Sequence, residues 1–234
     1  MQSASAEVRA TSLRVAATQR SASILAARAA IHELERPNRA EDVQTLLFEL
    51  LGWWQHDASR EFLLETIRNP GNSVNRKTLA ARALSYDIHP ALAGQTIPLL
   101  ANANPAVGAL LHVHLERLTN HTTASECTPR VCRTEDLEEE WRRIQNELGE
   151  LPLQEQILLG FQASGIPVSV LDWTAVDVLI QAGLRHDQPH IRFHANRALG
   201  TITGRWAPRV PGKKTVVYWQ RWWSKNRSRF LSME

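Results

Sequence analysis

The sequence predicts an all-α protein, built as an α-solenoid of stacked antiparallel helix pairs. Three observations carry this. Helix-favouring Ala, Leu, Arg, Glu and Gln dominate the composition, while alternating β-branched and aromatic residues are scarce. Apolar residues recur at helical spacing almost throughout the 234 residues. The chain also resembles itself internally, which is how repeat architectures are read from sequence.

The periodicity predicts helices over 21–35, 39–54, 58–69, 74–86, 90–102, 105–119, 134–148, 152–163, 171–184, 188–202 and 215–230. Their breaks carry the expected punctuation. Pro37 and Asn38 precede the second helix, and Asn69-Pro70-Gly71-Asn72 separates the third from the fourth. Pro105 and Pro189 stand where the first turn of a helix tolerates a proline. The organisation read from this is a loose N-terminal tail over 1–20, a repeat array over 21–204 and a basic, Trp-rich capping segment over 205–234. The array amounts to roughly four to five helix pairs.

Three segments align without gaps on an Ala/Leu core. They begin at Thr78, Ala109 and Phe193 and end at Leu84, Leu115 and Leu199. The last two match further. Pro105 opens one and Pro189 the other, while Leu118-Thr119-Asn120 closes one and Ile202-Thr203-Gly204 the other. Each is followed by a loop and a Trp-bearing helix, around Trp141 and around Trp219, Trp222 and Trp223. One helix pair cannot bury its apolar stripe alone, whereas stacked pairs bury a continuous core, and small residues let neighbouring helices approach.

The runs LLETIRNPGNSVNRKTLAARAL (63–84) and DQPHIRFHANRALGTITG (187–204) resemble HEAT repeats. The ending ITGRW…YWQRWWSKNRSRF is similar to a terminal signature of some bacterial HEAT-repeat proteins, in which Leu-Thr-Gly is followed by a Trp-Trp helix. The resemblance covers about residues 58–230. Asn75 stands where an apolar residue is usual, and Asn120 where the second unit has Gly204. The resemblance implies an armadillo-type superhelix that binds other macromolecules. It implies no catalytic residue.

The net charge of +3 hides an asymmetry. Residues 205–234 carry eight basic side chains against one acid, or +7, and the rest carry 19 basic and 23 acidic, or −4. The basic set is Arg205, Arg209, Lys213, Lys214, Arg221, Lys225, Arg227 and Arg229. Like charges repel, so such a cluster persists more easily beside an anionic partner. With Trp222, these residues form the candidate partner-binding end, the alternative being an ordinary solvated basic face. On a helix over 215–230, Val216, Trp219, Trp223 and Phe230 share one face, as befits a helix that caps the core. Trp222 sits beside that face and is not needed by it.

Other constellations read as structural. His186, His190 and His194 lie four apart, but Pro189 places His186 outside the helix, so surface or inter-repeat packing is expected, not a metal site. His112 and His114 are two apart and face differently. The run Trp53-Trp54-Gln55-His56-Asp57 shares Trp and Asp with alkylpurine DNA glycosylases built on HEAT-like repeats. Packing at a helix end is the expected role here. In Glu135–Glu140, acids complement a helix N-terminus with Thr134 as N-cap. Cys127 and Cys132 are either two free thiols or one local disulfide turned at Pro129. No phosphate loop, nucleophile elbow or HExxH pattern occurs.

The functional expectation is a non-enzymatic scaffold without cofactors that presents a rigid surface to a protein partner. The alternatives are nucleic-acid binding, extending to glycosylase-type chemistry, and a purely assembling module. No stretch has the ~20 apolar residues of a membrane helix. With no apolar leader at its start, a cytoplasmic location is expected.

Overall fold

A computed structural model describes residues 24–36, 40–123, 132–205 and 212–231. Among these residues the chain is all-helical, with no strand. The α-helices are α1 Ile24–Glu35, α2 Glu41–Trp54, α3 Asp57–Arg68, α4 Val74–Leu84, α5 Leu92–Thr96, α6 Pro105–Thr119, α7 Thr134–Leu148, α8 Leu153–Ala163, α9 Val176–Gln181, α10 Pro189–Thr203 and α11 Lys213–Leu231. Short 3-10 turns lie at Ile97–Leu99, Trp173–Ala175 and Gly183–Arg185.

Two of the expected helices are broken. The stretch 90–102 is α only over Leu92–Thr96 and then tightens to 3-10, because Pro98 has no N–H with which to continue the ladder. The stretch 171–184 begins with Asp172, whose carboxylate accepts from the Thr174 N–H, and is α only over Val176–Gln181. Thr134 is the first residue of α7 rather than its cap, and Arg133 O accepts from the Leu137 N–H one turn on.

The chain divides into two compact units, one of residues 1–114 and 123–141, the other of 115–122 and 142–234. In the first unit, α3 packs on α4, and α2 on both. Leu47, Phe48, Leu50 and Leu51 from α2 meet Leu63, Leu64 and Ile67 from α3 and the Ala80, Ala81, Ala83, Leu84 cluster of α4 in the core. The α2/α4 approach is close at Gly52, where any Cβ would strike the Ala83 carbonyl. At the α2–α3 corner, Gln55 adopts a left-handed φ of 53° and its side chain donates to Tyr86 O at 2.7 Å. Ser73 caps α4 by accepting from the Arg76 N–H. Trp141, fully buried, donates its indole N–H to His112 Nδ1 at 3.1 Å.

In the second unit, α9 and the Gly183–Arg185 turn pack on α10, and α11 packs on α9 and on the same turn. Phe161, Val176, Leu179, Ile180, Ile191, Ala195, Leu199, Trp219 and Trp223 form its core.

The resemblance between 105–120 and 189–204 extends to local geometry. Both stretches are helices opened by proline, α6 and α10. The Thr119 hydroxyl donates to Leu115 O, and the Thr203 hydroxyl to Leu199 O. Each threonine Oγ1 then accepts from the backbone N–H two residues on, His121 or Arg205. The residue between is left-handed in both, Asn120 at φ 61° and Gly204 at φ 65°. Glycine and asparagine are the residues that adopt this conformation at least cost, which accounts for the exchange.

Candidate functional site

The basic cap is built on α11, which is longer than its pattern predicts. Lys213 and Lys214 lie in its first turn, not in the loop before it. The buried face comprises Thr215, Trp219 and Trp223, with Val216, Trp222 and Phe230 partly covered. Two indoles fix this face. Trp219 Nε1 donates to Asn196 Oδ1 of α10 at 2.8 Å, and Trp223 Nε1 donates to Asp177 Oδ1 of α9 at 2.7 Å. Phe230 stacks on Trp173, centroids 3.7 Å apart and rings 9° from parallel. Trp173 also stacks on Trp222 and Trp223.

The outward face carries the charge. Lys213, Lys214, Val217, Tyr218, Arg221, Trp222 and Lys225 line one shallow groove of about 550 Å³. Val217 and Tyr218 are 43% and 36% exposed. Lys213, Lys214, Arg221 and Lys225 are exposed, and none has a carboxylate within 4 Å among the described residues. Arg205 lies over the Trp222 ring, 5.4 Å from its centroid.

The nine residues proposed from sequence therefore part company. Lys213, Lys214, Arg221, Trp222 and Lys225 come together, and Arg205 joins them through Trp222. Arg227 is instead a structural cation, 3.0 Å from Asp177 Oδ2. Arg229 lies 6.0 Å from the Phe230 ring, in the last turn, where a positive charge suits the helix dipole. Arg209 lies outside the described residues. Tyr218, Val217 and Trp173 were not singled out from sequence. Helical spacing from Lys214 and Arg221 identifies the first two. Nothing local points to Trp173, which is distant in sequence from α11.

The remaining candidates fall elsewhere. Asp57 is exposed at the start of α3 and pairs with Arg60 at 2.6 Å, and Arg60 also holds the buried Asp87. Trp53 is 47% exposed and meets Tyr86 edge-on. His190 and His194 are both buried within the second unit, so neither is a surface residue. His194 Nε2–H donates to Arg117 O at 2.8 Å, and burial pushes its pKa down to about 3. His190 Nδ1 lies 3.7 Å from Glu116. His121, held to Gln156 O, is likewise depressed by burial. His112 accepts from Trp141, and His114 lies 2.8 Å from Asp87 O. Among the described residues no group of three His, Cys, Asp or Glu is placed to hold a metal ion. Cys127 lies outside the described residues. Cys132 is half-buried beside a depression of about 270 Å³ formed with Pro105, Gly108 and Leu137. No described helix is long and apolar enough to cross a membrane.

Compared with protein families, with curated proteins and with solved structures, the chain matches none.

Proposed function

We propose that this chain is a non-enzymatic binding module of the α-solenoid, HEAT-like kind, and that it holds an anionic macromolecule on the outward face of α11. One observation carries the reading. Four cations without carboxylate partners among the described residues surround an exposed tyrosine, on a helix whose other face is hydrogen-bonded into the core. Two of the four, Lys213 and Lys214, sit in the first turn, where the helix dipole disfavours positive charge. An anion at that end offsets the repulsion. The solenoid part of the reading rests on the repeated corner geometry of α6 and α10 and on the Trp helix that follows each. A protein partner with an acidic face fits the same groove by charge.

The test is binding of the full chain to polyglutamate, heparin and oligonucleotides at about 50 and about 200 mM salt. Salt-sensitive binding to at least one of them, lost in a Lys214→Glu/Arg221→Glu/Lys225→Glu variant that keeps its helical circular dichroism, is the expected result. Binding to none of them overturns the reading.

A further inference from the structure

We infer that the groove on α11 takes single-stranded nucleic acid, with Tyr218 stacking on a base and Lys214, Arg221 and Lys225 meeting phosphates. This rests on the function proposed above and narrows it. Along α11, Lys214, Tyr218, Arg221, Trp222 and Lys225 follow at spacings of four, three, one and three, so they form one stripe. At 1.5 Å per residue the stripe runs about 16 Å. Neighbouring cations on it stand roughly 6–10 Å apart along the axis, about two to three nucleotides at ~3.4 Å each. An aromatic ring lies between them.

That alternation of ring and cation is what a sequence-tolerant single-strand platform requires, because every base offers a π-face and every nucleotide a charge. Tyr218, set edge-on to Trp219 with centroids 5.2 Å apart, supplies the exposed ring, since Trp222 is covered by Arg205 and by Trp173. A duplex keeps its bases stacked inside and engages only the cations, leaving Tyr218 and Val217 idle. A bilayer is disfavoured, because the apolar face of α11 that would enter it is occupied by Asn196, Asp177 and Trp173. An acidic protein satisfies the cations equally well and is the competing outcome.

The experiment is fluorescence anisotropy of the full chain with a labelled oligo-thymidine strand, a duplex of the same length and polyglutamate. At about 200 mM salt the single strand binds tightest. Tyr218→Ala weakens it roughly five- to a hundred-fold without changing the salt slope, and Tyr218→Phe binds as the parent does. Lys214→Gln/Lys225→Gln instead lowers the salt slope by about 1.4, or about 0.7 per phosphate contact. Equal binding of single strand and duplex, preference for polyglutamate, or indifference to Tyr218→Ala overturns this inference and leaves the anionic-partner reading standing. Absence of binding to every polyanion overturns both.

Discussion

The indole of Trp219 donates to Asn196 at 2.8 Å, and the residue that aligns with Asn196 in the other repeat, His112, accepts from Trp141 at 3.1 Å. A buried tryptophan is thus anchored on the same helical position twice, by two different acceptors. Removing the acceptor strands a buried N–H. Asn196→Ala and His112→Ala are each expected to cost about 1–3 kcal/mol, read as a lower urea midpoint. In a double-mutant cycle, adding Trp219→Phe to Asn196→Ala costs less than the sum of the two single changes. Full additivity would mean that the hydrogen bond contributes nothing.

Asp177 is expected to matter more than the cation it pairs with. It accepts from Trp223 Nε1 and faces Arg227. Asp177→Ala loses both contacts and costs about 1–3 kcal/mol. Arg227→Ala removes only an exposed ion pair and costs at most about 1 kcal/mol. Thermal denaturation of the two variants orders them. The reverse order would reassign Arg227 from the surface to the core.

Acid is expected to unfold the second unit through its buried histidines. His194 has a pKa of about 3 in the folded chain, against an ordinary value of 6.5. Between these values the unfolded chain binds more protons, so stability rises with pH across that window and is complete above about 6.5. Going from pH 7.5 to 4.5, about two units below the unfolded value, His194 alone removes about 2–3 kcal/mol. His121 adds in the same direction. Urea midpoints over this range fall steeply in the parent, and less steeply in His194→Phe.

At the end of α10, Gly204 holds φ 65° with no atom near its missing Cβ. The cost of a side chain there is therefore conformational. Gly204→Ala is expected to lose about 1 kcal/mol. Gly204→Asn should lose less, since Asn120 occupies the matching left-handed corner. Equal losses in thermal melts would refute the equivalence of the two corners.

The helices were legible because their apolar spacing is strong, and the matching ends of α6 and α10 because proline and glycine punctuate them. Pro98 was visible too, yet the apolar residues around it outweighed it in the reading of one long helix. Pairings between distant residues were not legible. Nothing near Arg227 in sequence marks it as the partner of Asp177, and its spacing alone places it with the outward cations. Trp173 is a lone tryptophan in a weakly patterned stretch, and only packing reveals that it completes the aromatic layer under α11. The spacing of His190 and His194 left surface and inter-repeat positions open, and α10 turns both inward. Tyr218 lies between Val217 and Trp219, and nothing in that apolar run marks it as the outward ring.

Trp219 tethers α11 to one helix and Trp223 tethers it to another, so two hydrogen bonds set its roll and its axial position. The intervals between the points where its outward cations are attached are then set by the helix, like marks on a ruler. A partner need not order this backbone in order to bind it, so the entropy lost on the protein side is chiefly that of the lysine and arginine side chains. If the proposed function holds, the polyanions favoured are those whose own charges repeat at intervals that the lysine and arginine side chains can reach from those marks.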